Sequence, residues 1–467
     1  MLETIGSLAR KGAERCPIYS LLFTGEVHTP SPDKGDSRTM DDLDLNASQS
    51  HAVLESTKKD LTLIWGPPGT GKTTTIVHII DEWRTLIGDK DRILVAASTN
   101  NAVDNVLEKY VTGRSAAPED IVRVCPDSAL LSKSIVRYWV GAFVDGDFNK
   151  PSPAMRAAQK KVSQARVIFT TCSGSSLGLL RKLDFTYVII DEASQLTEPN
   201  SLIALAKGCK RAALVGDHVQ LRPMVTPLGR AYAYDVSLFE RLYTQPDRDD
   251  ISKVLLDTQY RMNPQIAKFP SSRFYENKLQ NGVTEEKRSL PKTKFDWNGS
   301  PVKFVPSDGL PNGSESFYHG SKSNKSQAEI CGKIVSLLSA ASPASTPKPP
   351  SKLSIVVLTP YTAQLKLLQY LDKSTDSEII RSVTVATVDS FQGREADIVI
   401  FCTVRCNASR NIGFLADERR MNVAFTRAKR GFIVVGHRDT LVQSPEGGQL
   451  WKAWFESLKV EQGRSRE

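Results

Sequence analysis

A short glycine-rich segment carries the clearest chemical signal in this chain. Gly66, Gly71, Lys72 and Thr73 match the spacing G-x-x-x-x-G-K-[ST] of a phosphate-binding loop. Glycines at these points let backbone N–H groups turn toward a polyphosphate, the lysine reaches its terminal phosphates, and the threonine hydroxyl binds Mg²⁺. The pattern therefore predicts a site for a nucleoside triphosphate with Mg²⁺. The predicted loop consists of Gly66, Pro67, Pro68, Gly69, Thr70, Gly71, Lys72, Thr73 and Thr74.

The segments on either side of this loop indicate how it is held. Residues 61–65 (LTLIW) form an apolar, partly β-branched run that is typical of a buried strand. Residues 72–80 follow with an apolar pattern of helical period. Strand, loop and helix in this order place the polyphosphate at the positive end of the helix. This is the context that the motif requires, so a chance match by a glycine-rich turn is the weaker explanation.

Two adjacent acidic residues supply the second half of the predicted chemistry. Asp191 and Glu192 lie in the apolar segment 187–193 (YVIIDEA), at the carboxyl end of a predicted strand, where open α/β sheets bind ligands. ATP hydrolysis needs one carboxylate that binds Mg²⁺ and a group that orients the attacking water. We assign these roles to Asp191 and Glu192; an ordinary acidic turn is the alternative. Thr73 and Asp191 are therefore the predicted Mg²⁺ ligands.

Continuous apolar runs recur along the chain in two series. Parallel strands that are buried on both faces are apolar throughout instead of alternating, and these runs fit that pattern. Helical patterns separate them, so the sequence predicts an α/β fold with two parallel-sheet units in tandem. Only the first unit has a phosphate loop. The runs occupy residues 92–98, 167–172, 187–193 and 212–217 in the first series, and 353–358, 383–388, 397–401 and 431–435 in the second.

Domain limits are expected from the same patterns. Residues 105–166 are mostly helical and polar with several prolines, which predicts a helical insertion in the first unit. Residues 340–352 (AASPASTPKPPSK) predict a flexible surface loop in the second. The other expected limits are an N-terminal segment at 1–45, a first unit at 46–246, a second unit at 247–440 and a C-terminal tail at 441–467.

Bulk composition limits the class of protein. Hydrophobic residues make up 40% and charged residues 24%, as in an ordinary globular protein, and no apolar run approaches the ~20 residues of a membrane span. The first residues lack the apolar core of a signal peptide. The cysteines lack metal-type spacing, which favours a reducing compartment, so we expect an intracellular protein of the cytoplasm or nucleus. The net charge of +9 is compatible with a polyanionic partner but is weak evidence alone.

Nine motifs in series resemble those of superfamily 1 helicases, in particular the 1B branch that includes the nonsense-mediated-decay RNA helicase. The resemblance runs from about residue 45 to residue 436, and it implies two RecA-like motor domains. The motifs are LNASQ (45–49), GPPGTGKT (66–73), STNNAVDN (98–105), IIDEASQ (189–195), LVGDHVQLRP (214–223), QYRMNPQIAKFP (259–270), LTPYTAQ (358–364), TVDSFQGREADIV (387–399) and GFLADERRMNVAFTRAK (413–429).

The resemblance implies further nucleotide contacts. Gln49 would read adenine, because a glutamine amide offers both a donor and an acceptor, although an isolated glutamine is more often a solvated helix residue. Tyr260 would stack on the base, and Glu395 would touch the ribose. The γ-phosphate would be surrounded by Gln220, Arg261 and Arg427, where a surface salt bridge is the alternative for the last arginine.

Single-stranded nucleic acid is the partner that the resemblance implies. Hydroxyl and amide groups can follow a phosphodiester chain without recognising its bases. A packed core tyrosine is the alternative for Tyr361, since an aromatic residue after proline is often buried. The predicted contacts are Thr99, Asn100, Thr171, Cys172, Ser173, Pro360, Tyr361, Thr387, Asp389 and Ser390.

Two functions remain open at this point. The first is an ATP-dependent helicase or translocase that moves 5′ to 3′ on single-stranded nucleic acid as a monomer, with RNA expected but DNA not excluded. The second is an ATP-gated clamp or scaffold in an RNA-processing or silencing complex, together with protein partners. Val219 and Arg222 depart from the family pattern. Only 45 residues precede Asn46, which we expect to be too few for the family's barrel and stalk.

Overall fold

The computed structural model divides the chain into two units, each built on a parallel β-sheet. The first comprises residues 1–218 and 222–257, and the second comprises residues 219–221 and 258–467. The two sheets confirm the predicted α/β class with two parallel-sheet units. The structure describes residues 18–19, 22, 44–112, 120–128, 131–144, 146–147, 152–309, 313–318, 320–340, 353–369 and 380–464.

The first unit is organised around a sheet whose central strands are buried along their whole length. Its strands are β1 (Leu61–Trp65), β2 (Ile93–Ala97), β3 (Ile121–Arg123), β4 (Val167–Thr171), β5 (Tyr187–Asp191), β6 (Arg211–Gly216) and β7 (Ile251–Leu255). Their order is β3-β4-β2-β5-β6-β1-β7, with every pair parallel. The expected boundary between residues 246 and 247 lies before β7, which pairs with β1 and so belongs to this sheet.

Helices cover this sheet and orient the phosphate loop. They are α1 (Ala47–Lys58), α2 (Lys72–Leu86), α3 (Asn100–Val111), α4 (Pro153–Gln164), α5 (Glu198–Leu205), α6 (Pro227–Ala231) and α7 (Leu238–Thr244). Helix α2 buries Ile76, Ile80 and Trp83 in one cluster with Ile64 of β1 and Ile189 of β5. This packing fixes the start of α2 relative to the ends of β1 and β5.

The segment predicted as a helical insertion, residues 105–166, is mixed in structure. It contains the end of α3 and all of α4, but also β3, which pairs with β4 at the edge of the sheet. Ile121 and Val122 are β-branched and fully buried, which explains why this short run forms a strand instead of a helix. The segment is therefore partly built into the sheet.

The second unit has a five-stranded parallel sheet and two small strand pairs. Its strands are β8 (Thr258–Gln259), β9 (Gln280–Asn281), β10 (Val302–Pro306), β11 (Ser316–Tyr318), β12 (Ser321–Ser323), β13 (Leu353–Thr359), β14 (Ile380–Thr387), β15 (Ala396–Cys402) and β16 (Ala428–Gly436). The main sheet has the order β10-β16-β15-β13-β14. Strands β11 and β12 form an antiparallel hairpin, and β8 pairs with β9.

Helices pack on both faces of this second sheet. They are α8 (Pro264–Phe274), α9 (Lys325–Ser339), α10 (Thr362–Leu368), α11 (Glu418–Phe425), α12 (Arg438–Val442) and α13 (Gly448–Arg464). Trp451 and Trp454 of α13 are buried in one cluster with Phe401 and Phe425. The expected C-terminal tail, residues 441–467, therefore supplies part of this core, because the apolar side chains of α13 recur at helical spacing.

Other expected segments fall largely outside the described residues. Of the N-terminal segment at 1–45, only residues 18–19, 22 and 44–45 are described, and Tyr19 and Leu22 have helical geometry. Residues 341–352 of the expected flexible loop lie outside the described part of the chain. In the described part, no helix is both long enough and apolar enough to cross a membrane.

Candidate active site

The phosphate loop has a backbone that only glycine accommodates. Gly69 and Gly71 have φ angles of 76° and 84°, in the left-handed region. A Cβ atom on Gly66 would lie 2.2 Å from Cγ of Lys72, whose Nζ donates a hydrogen bond to the Gly66 carbonyl at 2.7 Å. The loop thus wraps closely around its own lysine and leaves a cradle for phosphate between the end of β1 and the start of α2.

Gln49 is joined to this loop. Its Nε2 donates to the Thr70 carbonyl at 2.9 Å, and its Oε1 accepts from the Asn46 backbone N–H at 3.2 Å as part of the capping box of α1. A Cβ atom on Gly71 would lie only 2.4 Å from that Nε2. Gln49 therefore stabilises the loop. Its amide would have to give up its bonds to Thr70 and Asn46 in order to recognise adenine.

The two predicted catalytic acids lie at the end of β5. Asp191 is 6% exposed, and its Oδ1 accepts a hydrogen bond from the Glu192 N–H at 2.9 Å. Burial and the neighbouring Glu192 raise the pKa of Asp191 to about 7, although the charge of Lys72 opposes the shift. A buried carboxylate of this kind gains from a divalent cation, and the oxygens of Asp191 and Thr73 are the donors that Mg²⁺ prefers. The residues present fit the predicted Mg²⁺.

Glu192 occupies a constrained position beside Asp191. Its φ angle of 50° lies in the left-handed region, which costs a residue with a Cβ atom about 1 kcal/mol or more. Gln195 donates to its Oε2 at 2.6 Å and holds the carboxylate in place. Strain of this kind at a strand end is a frequent feature of functional sites.

The neighbouring strand end contains supporting residues that the sequence patterns did not single out. Trp65 Nε1 donates to Oδ1 of Asp217 at 2.8 Å, and the Asp217 N–H donates to Oγ of Ser194 at 3.1 Å. These bonds tie together the ends of β1, β5 and β6. Farther along, Arg222 forms an ion pair with Glu240 of α7, so this departure from the family pattern has a structural partner.

In the second unit, Arg427 is almost completely buried at the start of β16. It is 2% exposed and donates to the Val423 carbonyl at 2.9 Å, the Thr426 hydroxyl at 2.8 Å and Oε1 of Gln220 at 3.0 Å. This burial excludes the alternative that Arg427 forms a salt bridge at the surface. The predicted γ-phosphate residues Arg427 and Gln220 are therefore in direct contact.

Arg261 and Glu395 form an ion pair close to Arg427. Arg261 Nε donates to Glu395 at 2.6 Å, and its Nη1 donates to the Thr426 carbonyl at 3.1 Å. Burial alone would raise the pKa of Glu395, but the charges of Arg261 and Lys429 outweigh it and lower the value to about 2. Thr426 contacts both arginines, so the structure brings the predicted residues of the second unit together around it.

Arg288 and Gln259 hold the backbone next to these groups; Gln259 is the first residue of the motif at 259–270, whereas Arg288 lies outside the motifs. Arg288 donates from Nε to the Arg261 carbonyl and from Nη2 to the Tyr260 carbonyl, each at 2.7 Å. Gln259 is fully buried, and its Oε1 accepts from the N–H groups of Arg261 and Met262 at 3.0 and 2.7 Å. Tyr260 is 36% exposed, at the surface of the second unit.

The predicted nucleic-acid contacts of the first unit lie at the carboxyl ends of β2 and β4. Thr99 caps α3, and Oδ1 of Asn100 accepts from the buried Arg123 at 2.9 Å. Thr171 accepts from the Gly174 N–H at 3.1 Å, which shapes the turn after β4. Cys172 is buried, and burial raises the pKa of its thiol to about 12, so a contact through its side chain is not favoured. Strands β2 and β4 are neighbours, so these groups share one edge of the sheet.

The predicted contacts of the second unit lie at the carboxyl ends of β13 and β14, which are also neighbours. Thr387 and Ser390 bond to each other through their hydroxyls at 2.8 Å. Asp389 accepts from Nε of Arg420 at 2.9 Å, and Arg420 is a residue that the motifs had not singled out for this role. Both hydroxyls are near the surface and suit a phosphodiester chain.

Tyr361, by contrast, is packed in the core of the second unit. It is 5% exposed, and its hydroxyl accepts from Nη1 of Arg405 at 3.1 Å. Burial is the main reason why the pKa of Tyr361 is raised. This position supports the packing alternative for Tyr361, since a buried ring offers no face to a base, while Pro360 beside it stays at the strand end.

Comparisons with known proteins agree with this arrangement. Two family models, each described as an AAA domain, match residues 44–161 with 144–227 and residues 234–439. The chain is 37% identical over 429 residues to the ATP-dependent helicase NAM7 of Saccharomyces cerevisiae, a match that covers 86% of this chain and 42% of that protein.

Two further relatives show the range of the similarity. The chain is 36% identical over 447 residues to the regulator of nonsense transcripts 1 homolog of Drosophila melanogaster, covering 87% of this chain and 35% of that protein. It is 34% identical over 464 residues to the DNA polymerase alpha-associated DNA helicase A of Schizosaccharomyces pombe, covering 89% and 67%. The chain thus spans about two fifths of the yeast NAM7 protein and about a third of the Drosophila protein.

Proposed function

Since the chain belongs to the superfamily 1 helicases of the nonsense-mediated-decay RNA helicase group, we propose that it is an ATPase stimulated by single-stranded nucleic acid. It uses ATP hydrolysis to move along the strand in the 5′ to 3′ direction. The single observation that carries the proposal is the glycine-dependent phosphate loop after β1, in the same sheet as the buried Asp191 and the constrained Glu192 at the end of β5.

Each residue of the first unit has a role in this proposal. Lys72 and the loop N–H groups bind the phosphates, while Thr73 and Asp191 hold Mg²⁺. When bound, Mg²⁺ neutralises charge on the phosphate oxygens. Glu192 orients the attacking water. The constraint on Glu192, from its left-handed backbone and from Gln195, supports this role because a fixed carboxylate loses little entropy in the reaction.

The arginines of the second unit act on the γ-phosphate in this proposal. Charge develops on the γ-phosphoryl oxygens during transfer, and an arginine stabilises it. Arg427 and Arg261 are positioned by neighbours around Thr426, and Arg427 donates to Gln220. Glu395 contacts the ribose and Tyr260 stacks on the base, for which its exposed ring is suited. Gln49 assists at the adenine after releasing its bond to the loop.

We propose single-stranded RNA as the track, in an intracellular setting of the cytoplasm or nucleus. The name of the Drosophila relative, which refers to nonsense transcripts, supports RNA, and the name of the Schizosaccharomyces pombe relative refers to a DNA helicase. Contacts to 2′-hydroxyl groups decide between the two. The motor acts as a monomer with protein partners of RNA metabolism.

The test is steady-state ATP hydrolysis with and without matched single-stranded RNA and DNA. We expect low activity alone and a rise with the preferred strand. Glu192→Gln should keep Mg·ATP affinity and lose turnover, because the size is kept but the carboxylate is lost. Glu456→Gln, the same change at an exposed site on α13, is the matched control. Equal rates with and without oligonucleotide, or parental turnover of Glu192→Gln, would contradict the proposal.

A strand-displacement assay then addresses movement. Duplexes with a 5′ tail should be unwound by this motor, and duplexes with a 3′ tail should not. Tight ATP-dependent binding without displacement would instead indicate the clamp described above.

A further inference from the structure

Two aromatic rings stand exposed on the second unit beside the predicted nucleic-acid contacts. Phe414 is 52% exposed and Phe317, in the hairpin of β11 and β12, is 72% exposed. Single exposed apolar residues are common and need no explanation. These two differ because each has a cation over its ring and because fixed, hydrogen-bonded groups connect them.

Phe414 is held outward by its neighbours. Ile412 and Leu415 on either side are buried in the core at 1% and 0% exposure, so the short turn at Gly413–Ala416 leaves Phe414 at the surface. The ring lies 5.5 Å from that of the buried Tyr361, centroid to centroid. A Cβ atom on Gly413 would lie 2.6 Å from Nη1 of Arg405, so glycine is required for this approach.

A buried ion pair links this turn to the hairpin that carries Phe317. Glu315, directly before β11, accepts from Nε of Arg405 at 2.8 Å and from Nζ of Lys322 at 2.5 Å. Arg405 in turn donates to the Tyr361 hydroxyl at 3.1 Å. The residues that hold Phe317 and Phe414 in place therefore belong to one hydrogen-bonded network. Within it, Tyr361 positions the ring of Phe414.

Basic and hydroxyl groups accompany the two rings. The guanidinium carbon of Arg420 lies 4.8 Å from the centroid of Phe414, and Lys322 Nζ lies 5.9 Å from that of Phe317. Ser321, next to Lys322 in β12, accepts from the Thr362 hydroxyl at 3.2 Å. Arg420 also bonds to Asp389, next to Ser390. Aromatic faces interspersed with cations and hydroxyls are what a single strand requires.

We propose that Phe317 and Phe414 form a base-stacking platform for single-stranded nucleic acid, with the bases on the rings and the backbone along the cations and hydroxyls. The proposal rests on the function proposed above and adds the residues of the second unit that bind the nucleic-acid strand. Tyr361 supports Phe414 from beneath instead of stacking on a base itself. Arg420 joins the ring of Phe414 to Asp389, next to Ser390, so the platform adjoins the predicted nucleic-acid contacts of β14, which favours a single strand over an apolar protein surface as its occupant.

The platform should contribute affinity without base preference, because every base has an aromatic face. Phe317→Ala and Phe414→Ala should each weaken binding of a mixed-sequence single strand by roughly 5- to 150-fold, the range to which a stacking free energy of about 1–3 kcal/mol per base converts. Phe414→Leu should behave like Phe414→Ala, since it keeps apolar volume but loses the ring face. Phe414→Trp should retain affinity.

The experiment measures fluorescence anisotropy of a labelled oligonucleotide, intact or with a run of abasic sites, for the parent and each variant. Abasic sites should weaken binding to the parent but have little further effect on the Phe317→Ala, Phe414→Ala double variant. Leu337→Ala is the control, because Leu337 is an exposed apolar residue on α9, 42% exposed. Binding of Mg·ATP in the same samples verifies folding.

The outcomes distinguish a failure of the proposed function from a failure of the stacking platform. A parent protein that binds neither RNA nor DNA overturns the proposed function and the platform with it. A parent that binds the strand, with both alanine variants binding as tightly as Leu337→Ala, overturns the platform alone. Equal weakening of parent and double variant by abasic sites also overturns it.

Discussion

Replacing Glu315 by glutamine tests how much the network around Arg405 stabilises the second unit. The Glu315 side chain is 9% exposed and that of Arg405 is 4% exposed, so the charges of this ion pair are shielded from water. Glu315 also accepts from Nδ2 of Asn407 at 2.9 Å and from the Cys406 N–H at 3.0 Å. Glu315→Gln keeps the shape but removes the charge opposite a buried guanidinium.

The size of the effect follows from the pKa of Glu315. Burial alone would raise this pKa, but the hydrogen bonds from Arg405, Lys322, Asn407 and Cys406 lower it from 4.5 to about 2. At about 1.4 kcal/mol per pKa unit, the difference corresponds to about 3.5 kcal/mol before screening by solvent, and we expect about 3 kcal/mol of it in stability. Because the folded pKa lies below the unfolded one, this stabilisation is complete above pH 4.5 and is lost as the pH falls toward 2.

The assay is urea unfolding of the parent and variant at pH 7, 4 and 3, with hydrogen exchange to locate the change. We expect Glu315→Gln to lower the free energy of unfolding of the second unit by about 3 kcal/mol at pH 7 and by clearly less at pH 3. Protection should fall in residues 313–318 and 404–413. The control is Glu418→Gln, because Glu418 pairs with Arg273 at the surface, where an ion pair contributes about 1 kcal/mol or less.

Two results would refute this reasoning. One is a loss at pH 7 no larger than that of Glu418→Gln, which would mean that the buried ion pair adds no net stability. The other is a loss that is the same at pH 7 and pH 3, which would mean that the charge of Glu315 is not responsible.

Two further predictions concern the arginines of the second unit. Arg427→Ala should reduce stimulated ATP hydrolysis by ~10³-fold, by analogy with arginine fingers, while Mg·ATP binding largely persists; a rate within tenfold of the parent, measured on protein shown to be folded by circular dichroism, would contradict it. Arg288→Ala should lower kcat and raise KM for ATP, because the backbone of both Arg261 and the base-stacking Tyr260 loses its anchor. Arg156→Ala, at an exposed site on α4, is the matched control for steady-state kinetics, and equal kcat values in the two variants would exclude a positioning role for Arg288.

Local sequence patterns predicted much of the fold and of the nucleotide site. Spacing alone identifies Gly71, Lys72 and Thr73, because the loop is built by consecutive residues whose geometry depends on glycine. Apolar runs identify the central strands, since strands buried on both faces have no polar side. The pair Asp191 and Glu192 follows from its place after such a run.

Packing between distant segments could not be predicted in this way. The bond from Gln49 to Thr70 and the anchoring of Arg261 by Arg288 depend on tertiary contacts that no local period encodes. The burial of Tyr361 depends on Arg405, which lies 44 residues away in sequence. The role of α13 in the core was missed because its apolar residues are separated by charged ones in a segment that resembles a tail.

Helix α11 connects two arginines of the second unit. Its first turn carries Arg420, which contacts Asp389 and Phe414, and its end leads directly to Arg427. At 1.5 Å per residue the helix rises about 7.5 Å from Arg420 to its last residue, Phe425, two residues before Arg427. Every residue from 421 to 425 is buried, so the helix cannot slide or bend without opening the core. We therefore expect that a nucleic-acid strand pulling on Arg420 displaces Arg427 by a similar amount. In mechanical terms, α11 is a rigid connection between the two arginines.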